Sequence, residues 1–182
     1  MHSYRIHDLD SAPERSRPTL QKLKETFGLV PNLAATMAES PVLLSGFVGA
    51  FGNFHGGTFT PAQRQVLLLT NATANTCPWA VAFHSTMALK EGVAPDDVRA
   101  IRDRKRPGDA KLAALSEFTR ALIEKRGHVD ENDLARFTGA GFGADQVLEV
   151  IAGLAVSVMA NYAGNITHPV VEEAFQAQTW KA

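Results

Sequence analysis

A chain of 182 residues, 45% hydrophobic and 20% charged, has the material for one sizeable core and is far from the composition of a disordered segment. Its 18 basic and 19 acidic side chains leave a net charge of −1, which excludes the basic field that nucleic acid or an anionic membrane would require. The single cysteine, Cys77, excludes an intramolecular disulfide and a multi-cysteine zinc site. Met1-His2-Ser3-Tyr4-Arg5 has no apolar signal core and no apolar run is expected to span a bilayer, so a reducing, cytoplasmic setting is the expectation.

Residues 1–16 are polar and turn-rich and read as an arm that packs late or wraps a neighbour; residues 17–182 read as one helical domain. Leu20, Leu23 and Phe27 recur at helical spacing until Gly28 stops them. Asn32 is placed to cap a helix over Leu33 to Glu39, and Ser40-Pro41 to start another carrying Leu43, Leu44, Phe47, Phe51 and Phe54. Thr60-Pro61-Ala62-Gln63 predicts a capping box at the head of a helix running to about Ala74. Cys77-Pro78 opens the next helix, which closes at Gly92, and Pro95-Asp96-Asp97 opens a short one. The basic cluster Arg102 to Arg106 reads as a solvated helix end. Asp109 to Lys125 is amphipathic, Asp130 to Phe137 follows it, and Ala144 to about Ala163 is nearly all apolar and is expected to be the buried central helix. Gly92 to Val98 and Gly141 to Val147 share a pattern of glycine, apolar residue, acidic helix start and valine, from either duplication or helix punctuation. No segment alternates with the period of a strand, so the fold is expected to be all-α.

The informative stretch is Thr60 to Gly92. With Pro78 as the first helical residue, Cys77 sits at the N-cap, where backbone N–H groups and the helix dipole favour a thiolate and should lower its pKa. His84, seven residues on, shares that helix face about two turns, roughly 10 Å, away, too far for a direct hydrogen bond. His84 also has a plainer reading as a satisfied core histidine among Val81, Phe83 and Met87, and Cys77 as a small buried hydrophobe. Trp79 reads as a wall or interface residue, His168 as a loop residue, and His55 as a helix-terminal imidazole suited by its charge to the dipole. Metal and nucleotide cofactors are not expected, since no ligand spacing or phosphate loop occurs.

This layout resembles the alkylhydroperoxidase D family, related to the carboxymuconolactone decarboxylases, whose motif is a glutamate, eleven residues, then Cys-x-x-Cys-x-x-x-His. The first cysteine falls on Cys77 and the histidine on His84; Gln65 stands at the glutamate and Ala80 at the second cysteine. The Phe27 to Leu33 run, the Ser40-Pro41 helix and Ala160-Asn161-Tyr162 resemble the longer, peroxidase-related branch. The resemblance implies an AhpD-like helical bundle, homo-oligomers (trimers or hexamers, with a dimer as the lesser case) and hydroperoxide reduction by a cysteine pair. Ala80 cannot resolve a sulfenic acid, and Gln65 cannot relay a proton as a carboxylate does. Three readings stay open: a single-cysteine peroxidase with Cys77 as nucleophile, His84 as proton-transfer group, Gln65 as hydrogen-bond donor and an external thiol as reductant; a non-catalytic oligomer that binds an apolar ligand; or acid-base chemistry of decarboxylase or lactone type at His84.

Overall fold

The computed structural model describes residues 4–181, and the first three residues of the arm and the last of the domain lie outside them. Nine α-helices account for the described fold: α1 (Arg17–Phe27), α2 (Asn32–Met37), α3 (Pro41–His55), α4 (Pro61–Ala74), α5 (Pro78–Lys90), α6 (Pro95–Arg102), α7 (Ala110–Glu124), α8 (Glu131–Gly139) and α9 (Ala144–Thr167). Short 3-10 turns precede α1 and follow α9. The described residues hold no strand, in keeping with the all-α expectation.

Local chemistry sets most boundaries. Thr60 and Gln63 close a reciprocal capping box on α4, as Asp130 and Asp133 do on α8, and the Ser40 hydroxyl accepts from Leu43 N–H at the start of α3. Gly28 ends α1 in the left-handed region at φ 75°. Asn32 does not cap α2: it is the first helical residue, and its side chain instead donates to the Val170 carbonyl. A long-range carboxylate, described below, takes over the capping.

The centre of the fold is α4, whose residues Gln65 to Thr73 are buried without a break. It packs against α5, α6, α7 and α9. The expectation that the apolar C-terminal helix would be this central element is corrected. One face of α9 packs on α2, α3, α4 and α5, while Leu148, Ile151, Val158, Tyr162 and Ile166 stand exposed along the other. A small-residue, apolar sequence does not by itself say how many sides are covered. With 24 residues and a mean hydropathy of 1.6, α9 is also long and apolar enough to cross a membrane, contrary to the sequence reading, although its packed face makes it a core helix. Two glycines set its closeness. A side-chain carbon at Gly153 would meet Leu67 and Phe54, and one at Gly164 would lie 2.8 Å from the sulfur of Cys77.

The arm lies on α2 of its own chain: His7 N–H donates to the Ala35 carbonyl, its ring meets Glu39 at 2.8 Å, and the Ser16 hydroxyl donates to the Ala38 carbonyl. The arginines after α6 are not merely solvated. Arg104 donates to the Thr73 carbonyl and the Thr76 hydroxyl at the end of α4, and Arg102 to Gln178 and the Thr179 carbonyl. Gly92 and Gly141 both adopt positive φ, and the helices after them have 8 and 24 residues.

Candidate functional site

The turn between α4 and α5 fixes Cys77. Thr76 enters the left-handed region at φ 50°, and Cys77 N–H then closes α4 on the Ala72 carbonyl while its own carbonyl opens α5 by accepting from Val81. Cys77 is therefore the N-cap of α5, as its sequence position implies, but its side chain makes no capping bond. Cys77 is fully buried, and its sulfur lies close to Gly164 of α9.

The expected lowering of its pKa is reversed. Burial pushes the Cys77 thiol up, and the backbone N–H groups of Ala80 and Trp79, which oppose this, only moderate it. The magnitudes explain the outcome: a helix terminus favours a charge by about 0.3–1 kcal/mol, whereas full burial can shift an ionisable group by several pKa units at about 1.4 kcal/mol each.

Beside this sealed thiol lies a cavity of about 300 Å³. Along α5 it is lined by Trp79, Ala80, Phe83, His84, Met87 and Lys90, one helix face about 16 Å long. Phe27 at the end of α1, Leu29 beyond it, Phe47 and Phe51 of α3, and Val156, Ser157 and Ala160 of α9 also line it, with Phe175. Cys77 and Gln65 are not among the lining residues. Aromatic rings hold the wall in place: Trp79 stacks on Phe83 at 5.2 Å, and Phe175 meets Phe83 edge-on at 5.0 Å.

His84 is the polar centre of the cavity. Its Nδ1 lies 3.0 Å from Gln65 Oε1. An amide oxygen only accepts, so Nδ1 carries the proton and Nε2 presents its lone pair. Nε2 has no hydrogen-bond partner among the described residues. Burial lowers the His84 pKa to about 3, helped slightly by His55, so the imidazole is neutral at ordinary pH. The three candidate residues thus divide: Gln65 and His84 form one unit facing the cavity through His84, and Cys77 stands outside it.

A strap after α9 closes one side. Asn32 N–H donates to Glu172 Oε1 at 2.7 Å and Trp79 Nε1 donates to Glu172 Oε2 at 2.9 Å, so one carboxylate caps α2 and fixes a cavity wall. Sequence reasoning missed Glu172, which lies 140 and 93 residues from these partners. It also missed Ser157, which lies within the nearly all-apolar stretch from Ala144 to Ala163. His55 stacks on Phe51 at 3.8 Å and its Nδ1 bonds to the Phe51 carbonyl; burial lowers its pKa, so the charged helix-end imidazole expected there is corrected to a neutral one. His168 ends α9 in the left-handed region and is exposed. No three His, Cys, Asp or Glu side chains among the described residues are grouped to hold a metal ion.

Residues 41–122, from α3 through most of α7, match the carboxymuconolactone decarboxylase family. No curated protein matches the chain. Solved structures share the fold over nearly its whole length. One is the alkylhydroperoxidase AhpD core, an uncharacterized peroxidase-related protein from Ralstonia eutropha JMP134, at 19% identity and TM-score 0.82, covering 94% of this chain and 93% of that one. A peroxidase-related protein from Silicibacter sp. TM1040 has 16% identity and TM-score 0.78, with 97% and 94% covered. The debrominase Bmp8, as a variant in complex with 2,3,4-tribromopyrrole, has 18% identity and TM-score 0.78, with 98% and 96% covered.

Proposed function

From a chain that carries a carboxymuconolactone decarboxylase family domain in an AhpD-like fold, we propose a small-molecule site in which the cavity binds a neutral, largely apolar compound. His84 Nε2 accepts a hydrogen bond or proton from that compound. The observation that carries this reading is that His84, not Cys77, faces the cavity. Gln65 holds the ring and its tautomer, so Nε2 is ready without any change of protonation. A base of such low pKa accepts hydrogen bonds well and removes protons only from acidic or already polarised groups. The tribromopyrrole seen in the debrominase is a ligand of this kind, a small ring with one N–H.

Phenol, titrated by tryptophan fluorescence with Trp79 as reporter, tests the site. His84→Leu should weaken binding at least about tenfold, as loss of a buried hydrogen bond predicts, while Cys77→Ser leaves it unchanged. Equal binding by wild type and His84→Leu would remove the proposal. The kinship to peroxidase-related proteins supports a second reading, a single-cysteine peroxidase with an external thiol as reductant. It needs α5 and α9 to part so that peroxide can reach Cys77. Consumption of cumene hydroperoxide with dithiothreitol that disappears in Cys77→Ser would favour it.

The partner proposed for the protein is a second copy of itself, seated on the exposed apolar stripe of α9. Light scattering should find an oligomer that Ile151→Glu shifts towards monomer; a monomeric wild type refutes this.

A further inference from the structure

The α9 part of the cavity wall holds a polar group without a partner. Ser157 lines the cavity from α9, is 3% exposed, and its hydroxyl makes no hydrogen bond among the described residues. One other buried helical hydroxyl, that of Ser85 in α5, also lacks a partner among the described residues, but Ser85 does not line the cavity; other buried hydroxyls are satisfied. Thr70 donates to the Val66 carbonyl and Thr119 to the Leu115 carbonyl, the usual way for such a group to be satisfied within its own helix. A buried hydroxyl left unmade is costly, so its partner is to be sought in whatever fills the cavity. Its placement is fixed: Gly153 one turn earlier and Gly164 two turns later hold α9 tightly against Leu67, Phe54 and Cys77.

The rest of the lining narrows the ligand. The Trp79 N–H is taken by Glu172. No carboxylate lines the cavity, and Lys90, exposed at the end of α5, is its one charged residue. An ion held beside His84 would go unpaired, which selects against charge. About 300 Å³ is the space of roughly ten waters, enough for a molecule of one or two rings. Flanking aromatic side chains suit a flat one.

We infer that Ser157 is a second ligand-binding group, and that the cavity selects a neutral aromatic compound with an N–H or O–H for His84 Nε2 and a separate acceptor, such as a carbonyl oxygen, for the Ser157 hydroxyl. This rests on the cavity reading given above and adds the second contact. A compound with only one of the two groups leaves one buried protein atom unmet and binds more weakly.

Titration of wild type and Ser157→Ala with phenol and with 3- and 4-hydroxyacetophenone, below the pH at which these ionise, tests it. In wild type at least one hydroxyacetophenone should bind about fivefold to tenfold more tightly than phenol. Ser157→Ala, a change of one atom, should abolish that advantage and leave phenol binding unaltered. If the substitution weakens phenol and the ketones alike, or none of them, Ser157 is not a ligand group and the His84 site stands alone. If no compound binds wild type, the cavity reading and the Ser157 assignment fall together.

Discussion

The start and the middle of α5 carry the two groups that the sequence motif pairs, and the fold treats them in opposite ways. At the N-terminus, Cys77 meets the backbone N–H groups that would favour a thiolate, but its sulfur is buried against Gly164 of α9. In mid-helix, His84 has no favourable dipole, yet it faces a cavity and is oriented by Gln65. Register along a helix places residues on one face. Which of them keeps a path to a reactant is decided by the helices packed against that face.

The largest effect expected from this contrast is kinetic. Iodoacetamide should modify Cys77 in the folded protein at least about a hundredfold more slowly than in urea, because reaction must wait for an opening of the α5 and α9 contact. Mass spectrometry reads the rate; fast labelling with an inflection below that of a free thiol would erase the difference between the two positions.

The second effect sharpens the account of His84. Its folded pKa of about 3 lies below the ordinary 6.5, so the unfolded chain binds the extra proton. The associated stability is whole above pH 6.5 and is lost as pH falls towards 3. At about pH 4.5 wild type should have lost about 2–3 kcal/mol that His84→Leu does not lose. Urea denaturation at several pH values measures this, and parallel curves for the two proteins would show that His84 is not the dry, neutral group described.

The smallest effect probes the seal itself. Gly164→Ala gains up to about 1 kcal/mol of helix propensity, but it brings a carbon to 2.8 Å from Cys77 Sγ, an overpacking worth about 1–3 kcal/mol. The net expectation is mild destabilisation that turns to stabilisation in a Cys77→Ala background, read as coupling in a double-mutant cycle. Additive changes would mean the sulfur is not what limits this approach.

What the sequence disclosed and what it withheld follow the range of the interactions. Thr60 with Gln63, Ser40 with Pro41, and Gly28 act within a few residues, and each places a helix end. The pairing of Gln65 with His84 was indicated by their motif positions alone and spans one helix turnover from α4 to α5. The thiol was misread because it is buried in part by α9, through Gly164, far from it in the sequence. Glu172 displaced Asn32 as the cap of α2 from a distant part of the sequence, and the unpartnered Ser157 hydroxyl has meaning only beside a cavity that several helices build together. The exposed stripe of α9 was hidden by its composition, since its outward and inward faces are both apolar.

Glu172 has a bearing on how the molecule comes together. Its two oxygens take N–H groups from α2 and from α5, so the carboxylate finds both donors only after those helices have met. Closing loops of 140 and 93 residues carries an entropic cost that local contacts cannot offset in advance. The strap is therefore expected to dock after those helices have met, which would add one wall of the binding chamber late in folding. An intermediate lacking only that step would be helical, nearly compact and still open on one side.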